Sequence, residues 1–260
     1  LRPGFVASIQ WTNFRDFFIS PALRGPLVQL VSWNFGFAFF SLLLNFSLGL
    51  AIAIMFNDPD FPLKKLIRSL LIIPYTVPAL ITILVWRGMM NPELGVISRT
   101  MNDLFGWSPP WFTNQWWAKI AILLVNLWLS YPYFMLICSG ALQSIPQDIY
   151  EAAIVDGASP WQKFKSITLP LLRPSLLFVL VTQFIARFEE FGLPYVMVGI
   201  AYQYRGGAAY AHWTVIVYLY QVAWNWYRMG YGSAVAIGLS FVMLLVTLIQ
   251  FRLLGKRLQY

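Results

Sequence analysis

The chain has 260 residues, of which 59% are hydrophobic and only 11% charged, with a net charge of +8. A soluble domain carries about 25% charged residues, so 18 Lys and Arg with 10 Asp and Glu are too few to coat a water-facing surface. The composition excludes a soluble globular domain, a disordered chain, a disulfide scaffold and a typical nucleic-acid binder. An integral, all-α membrane protein is left, with its basic excess at the cytoplasmic mouths of its helices.

A membrane-crossing helix needs about 20 mostly apolar residues to cross a core about 30 Å thick. Five stretches qualify in chain order: 29–56, 69–86, 120–142, 174–197 and 232–254. A sixth apolar run, 213–226, is short and dense in aromatics, with Trp213, Tyr218, Tyr220, Trp224 and Trp226. Such runs lie at the interface or re-enter, and Trp and Tyr favour the headgroup level. The reading here is interfacial. Trp107, Trp111, Trp116 and Trp117 form either an interfacial belt or a contact surface for an external partner.

Charge placement orients the spans. Segments 57–68, 143–173 and 252–260 hold nine basic residues in 52 positions, whereas 1–28, 87–119 and 200–228 hold eight in 90. The denser side is the cytoplasm by the positive-inside rule. Such a chain starts outside and ends inside, and its first residue is Leu1 rather than Met. Both features point to a further leading span, or a cleaved signal peptide, ahead of residue 1. The expected organisation is an outer segment at 1–28, a transmembrane domain over 29–257 and a cytoplasmic tail at 258–260.

The loop 143–170 carries structure of its own. Ser144-Ile145-Pro146-Gln147 has the form of a helix start, and Ile145, Ile149, Ala152 and Ala153 share one face. Gly157 stands where a left-handed helix stop belongs. Ser159-Pro160-Trp161-Gln162 repeats the start signature, and Pro170 is expected to block continuation of this second, short helix. Helix patterning alone leaves open whether this amphipathic knob lies on the bilayer or docks a soluble partner.

The spacing Glu151-Ala152-Ala153, Gly157, Ile167, Leu169 and Pro170, with Asp156 and Ala158, resembles the EAA signature of permease subunits in ATP-binding-cassette importers. The resemblance runs from about residue 11 to 257. It is strongest to the carbohydrate-uptake branch, and there to the larger membrane subunits of maltose importers. Segments 73–78, 126–133 and 150–152 carry it. It implies a type I importer permease fold in which Glu151, Ala152, Ala153, Asp156, Gly157, Ile167, Leu169 and Pro170 couple the chain to a cytoplasmic ATPase. It also implies a second permease subunit, two ATP-binding subunits, an external solute-binding protein or lipoprotein and a sugar-like solute, in the inner membrane of a prokaryote. No GxxxxGK[ST] phosphate loop is present, so ATP and Mg belong to a partner. No cofactor, catalytic residue or metal ligand is expected in this chain.

Polar side chains inside spans are costly and usually face the bundle interior. Asn126, Ser130 and Tyr133 fall on one helical face, as do Gln183, Arg187 and Glu190, with Trp128 nearby. These positions match those lining the sugar site of the resembling permeases, and they form the expected substrate path. Arg187 and Glu190 stand in a stretch that is asparagine-rich in the maltose subunits. Three residues apart, they make either an internal ion pair or a direct contact to solute. An exposed Arg187 would suit an anionic sugar derivative, organophosphate or sulfonate. A glycine-rich segment of the family is absent, with Arg205-Gly206-Gly207 nearby. Two other classes stay open at this point. One is a membrane-embedded transferase using Glu189 and Glu190, and the other is a proton-coupled transporter using Arg187 and Glu190. Cys138 reads as a core residue, and His212 as part of an outer loop.

Overall fold

The computed structural model describes residues 11–19, 21–58, 61–199 and 213–255. Arg205, Gly206, Gly207, His212 and the tail at 258–260 therefore lie outside the described residues. Every regular element among those described is helical. Among the described residues four helices are long and apolar enough to cross a membrane, and one bent helix pair makes a fifth if it counts as a single span.

Helix α1 (Trp11–Ile19) leads into α2 (Pro21–Met55), whose membrane-competent part is Val28–Met55. Next come α3 (Lys64–Thr76) and α4 (Ala79–Met89), which meet at 92°. The uninterrupted span expected over 69–86 is thus corrected to two bent helices, a broken span or a re-entrant loop. Two prolines explain the break. Pro74 withdraws an N–H inside α3, and Pro78 forces Val77 into extended backbone, φ −81° and ψ 136°. A window average over apolar residues does not register either effect.

A short amphipathic helix, α5 (Val96–Phe105), ends on Gly106 in the left-handed region at φ +68°. Helix α6 (Gln115–Gln143) is opened by Asn114, whose side chain accepts from Trp116 N at 2.9 Å and Trp117 N at 3.3 Å. Its first two turns carry the buried Lys119, with its ammonium 4.5 Å from the Trp116 ring centre and 4.8 Å from that of Trp33.

Then α7 (Gln147–Val155), Gly157 and α8 (Pro160–Lys163) form the expected helix–turn–helix. Two details differ from expectation. Ser144 does not open α7, because its hydroxyl donates back to Ala141 O at 2.7 Å and closes α6. Pro170 does not end the helix either. A π-helical turn at Phe164–Thr168 carries the chain from α8 straight into α9 (Leu169–Phe188), with the proline in the first turn of α9, where a missing N–H costs least.

Beyond α9, the single turn α10 (Gly192–Pro194) precedes a π-turn at Tyr195–Gly199. Helix α11 (Val215–Tyr220) and its π-helical extension through Asn225 form a piece about 16 Å long, too short to span. The interfacial reading of 213–226 needs correction in one respect. Trp213, Val215, Val217, Tyr218 and Val222 are buried in a cluster with Leu30, Tyr231, Val235 and Leu239, so the apolar face turns into the bundle. A tight reversal with Tyr227 at φ +55° leads into the last span, α12 (Met229–Gly255).

The bundle is organised on α2 and α6. Gly49 brings their backbones together, since a Cβ there would stand 2.6 Å from Phe134 Cβ. One turn away, Asn45 Nδ2 donates to Asn126 Oδ1 at 2.8 Å, both residues fully buried. Small residues and buried amides are the usual means of association where lipid offers no hydrophobic drive. Cys138 is wholly buried between α2, α6 and α9, as expected of a core residue.

Candidate functional site: a polar cavity and a helical knob

The break between α3 and α4 opens one side of a cavity of about 580 Å³, within the usual range for small-molecule sites. Residues 74–79 form this wall, α6 supplies Asn126, Leu129 and Ser130, and the end of α9 with its following turn supplies Arg187, Glu190 and Leu193. The two polar stripes named from the sequence therefore meet here, though not completely. Tyr133 lies against Tyr75, ring centres 6.3 Å apart, and reaches the cavity only through it. Gln183 sits behind Arg187, accepting from Nη2 at 3.5 Å. Trp128 does not line the cavity; it is 43% exposed and meets Trp86 edge-on at 5.9 Å.

Arg187 Nη1 and Glu190 Oε2 are 3.4 Å apart, so the internal ion pair is formed and borders the cavity at the same time. Glu190 Oε1 also accepts the Leu193 N–H at 3.3 Å, capping the turn after the helix break. Arg187 Nε is buried without a partner among the described residues. The pair neutralises this wall while leaving donors and acceptors unused, an arrangement matched to hydroxyl groups. Glu189, by contrast, is exposed. Among the described residues no three His, Cys, Asp or Glu side chains gather as a metal site.

Sequence reasoning missed Tyr75 and Thr76 as cavity walls. The signal was the pair Pro74 and Pro78, four apart inside an apolar stretch, which marks backbone that can open only toward a cavity. Thr76 uses its hydroxyl locally, donating to Ile73 O at 2.9 Å.

The second site is the α7–α8 knob. Gly157 has φ +74°, a conformation that glycine adopts without a Cβ penalty. Ser159 and Gln162 make a full capping box, with bonds of 2.7 and 3.3 Å. Tyr150 Oη and Thr168 Oγ1 are 2.9 Å apart, tying α7 to the π-turn that leads into α9. Ala153 and Thr168 are buried and Ile167 half-buried, whereas Glu151, Ala152, Asp156, Leu169 and Pro170 are exposed. Exposed beside them are Ile154 at 59%, Val155 at 87% and Trp161 at 67%. The knob therefore displays apolar surface beside acidic side chains.

The tryptophans near the start of α6 are not one belt. Trp111 is buried and packs edge-on against Trp117 at 5.5 Å, while Trp107 and Trp116 remain exposed.

Comparison with known proteins agrees with this architecture. The chain is 33% identical to the maltose/maltodextrin transport system permease protein MalF of Photorhabdus laumondii over 263 aligned positions, covering all of this chain and 51% of that protein. It is 32% identical to the protein of the same name from Escherichia coli K12, again over 51% of its length. The chain thus spans about half the length of the curated relatives it matches. Among solved structures, a bacterial ABC transporter involved in the import of the acidic polysaccharide alginate superposes with a TM-score of 0.79 at 21% identity, covering 96% of this chain and 85% of that one. The MetNI methionine ABC transporter in an inward-facing conformation gives 0.62 at 18% identity, over 92% and 99%. Both show a shared fold. The family model for binding-protein-dependent transport system inner membrane components matches residues 45–260, and the chain belongs to that family.

Proposed function

We propose that this chain forms half of the membrane pathway of an ATP-driven, binding-protein-dependent importer of sugars or oligosaccharides, working by alternating access. The observation that carries the reading is the cavity at the α3–α4 break, where Asn126, Ser130, Arg187 and Glu190 place polar groups inside an apolar bundle. Substrate-path residues are Asn126, Ser130, Arg187 and Glu190, backed by Tyr133 and Gln183. An uncharged solute suits the site better than an anionic one, because Glu190 already neutralises Arg187. The curated relatives, named as maltose/maltodextrin permeases, support the same class.

The exposed face of α7 and α8, with Glu151, Ala152, Ile154, Val155 and Trp161, is the docking point for a cytoplasmic ATPase. Tyr150–Thr168 and the unbroken path into α9 then carry its movement to the segment holding Arg187 and Glu190. ATP and Mg are held by that partner. A second permease subunit completes the pathway, and an external solute-binding protein delivers the solute, with Trp107 and Trp116 as exposed contact candidates. The chain sits in the inner membrane with its C-terminus in the cytoplasm. A transferase reading is disfavoured, since Glu189 is exposed and lies off the cavity wall that Glu190 joins, and Glu190 is already paired.

The test is uptake of radiolabelled maltose and maltotriose into liposomes holding the complete importer, with and without ATP. ATP-dependent uptake that weakens in Arg187→Gln and in Asn126→Leu is expected. Uptake indifferent to ATP, or to both substitutions, would overturn the reading.

A further inference from the structure

Asn34 lies in the middle of an apolar helix and is wholly buried, and both ends of its amide are used by other elements. Its Nδ2 donates to the Phe188 carbonyl at 2.8 Å. Its Oδ1 accepts the Val215 N–H at 3.1 Å. The first group closes α9 and the second opens α11. Helix ends leave such carbonyls and N–H groups without intrahelical partners, and in an apolar bundle each is costly unless satisfied. One side chain thus satisfies a carbonyl end and an amide end together.

Two neighbouring contacts reinforce the junction. Thr214 Oγ1 donates to the Glu190 carbonyl at 2.8 Å, and the Phe35 ring meets Phe188 edge-on at 4.9 Å. The stapled carbonyl of Phe188 stands one residue after Arg187 and two before Glu190. Here the helix stops, with Glu189 at φ −90° and ψ 9°. The path of four residues therefore sets the direction of both charged side chains, and Asn34 and Thr214 hold that path.

We propose that Asn34 is a positioning residue for the Arg187–Glu190 pair, fixing the end of α9 so that both side chains face the polar cavity. The proposal rests on the cavity being the solute path. Asn34 touches neither charged group and acts through the backbone between them.

The test uses the complete importer purified with its partner chains, in liposomes, with maltose as the probe. Asn34→Leu keeps the branching of the side chain and removes both hydrogen bonds. Amide hydrogen exchange then rises about tenfold or more at Val215, which loses its acceptor, and at Leu193, whose N–H reports where the Glu190 carboxylate lies. KM for maltose rises about tenfold with little change in maximal rate, and Asn34→Leu adds nothing further once Arg187→Gln and Glu190→Gln are present. A purely structural role would lower the amount of assembled importer equally in both backgrounds and leave KM alone. Should Asn34→Leu fail to assemble, Asn34→Ala removes both bonds without adding bulk, and it raises KM and the exchange at Val215 and Leu193 in the same way. Unchanged exchange at Val215 and Leu193 in Asn34→Leu overturns the proposal, as does unchanged KM where Arg187→Gln raises it. If Arg187→Gln and Glu190→Gln also leave KM unmoved, the solute-path reading falls, and the Leu193 exchange alone decides whether Asn34 holds the pair.

Discussion

Gly49→Ala adds one methyl group where α2 and α6 press their backbones together. The new Cβ would stand 2.6 Å from Phe134 Cβ, 2.7 Å from Met135 N and 2.8 Å from Phe134 C. Non-bonded carbons rest about 3.5–4.0 Å apart, so the helices must part by about 1 Å at this crossing. Backbone atoms cannot rotate out of the way. Overpacking of this kind costs about 1–3 kcal/mol. The Asn45–Asn126 hydrogen bond, one turn away at 2.8 Å, is stretched by the same movement and forfeits about 1 kcal/mol more. A total of about 2–4 kcal/mol corresponds to a fall of about 5–10 °C in the melting midpoint of the purified chain in detergent. The matched control is Gly36→Ala, where the nearest atom is Trp33 Cε3 at an ordinary 3.9 Å. There alanine's better helix propensity leaves the midpoint unchanged or raises it slightly. Equal midpoints for Gly49→Ala and the unaltered chain, or an equal fall in Gly36→Ala, would refute the close-approach reasoning.

Gly157→Val places a β-branched residue at φ +74° and costs about 1–2 kcal/mol locally; solute-stimulated ATP turnover by the assembled importer is lost while membrane insertion, followed by protease protection, is retained. Arg187→Gln and Glu190→Gln each strand a largely buried partner, whereas the double variant removes both charges, so a thermal-stability cycle gives a coupling of about 1–2 kcal/mol. Ser159→Ala breaks the capping box at a cost of about 1 kcal/mol, read as faster amide exchange at Gln162, whose N–H bonds to the Ser159 hydroxyl. Thr168→Val severs the tie to Tyr150 and lowers uptake more than it lowers basal ATP turnover, because the movement of α7 no longer reaches α9.

Much of this architecture is written in hydrophobic length. Spans appear as apolar runs because lipid tolerates nothing else, and the α7–α8 knob appears because Gly157, Ser159 and Gln162 act within a few residues of one another. What stayed hidden depends on distant partners or on backbone geometry. The apolar run 69–86 reads as one span, yet Pro74 and Pro78 within it turn the chain through 92° and build a cavity wall. Pro170 looked like a stop, but a π-turn absorbs it. The run 213–226 looked interfacial because its aromatics are what an interface favours, and only tertiary contact reveals that Trp213 and Tyr218 face inward. The polar stripes on α6 and α9 were legible from spacing, though periodicity could not tell that Trp128 turns away from the cavity. Asn34 was invisible for the simplest reason. Its amide bonds groups 154 and 181 positions along the chain, and nothing local marks it.

The most direct test of the central claim, that a separate motor drives this chain through its helical knob, is thiol cross-linking from position 151. Cys138 is the only cysteine and is buried, so Glu151→Cys supplies one reactive site without background. In the importer purified with its partners, a short bifunctional reagent should join position 151 to the ATPase subunit, and the joined complex should lose ATP-driven uptake. Absence of any such product, with position 151 labelled instead by an impermeant reagent from outside intact cells, would contradict the account.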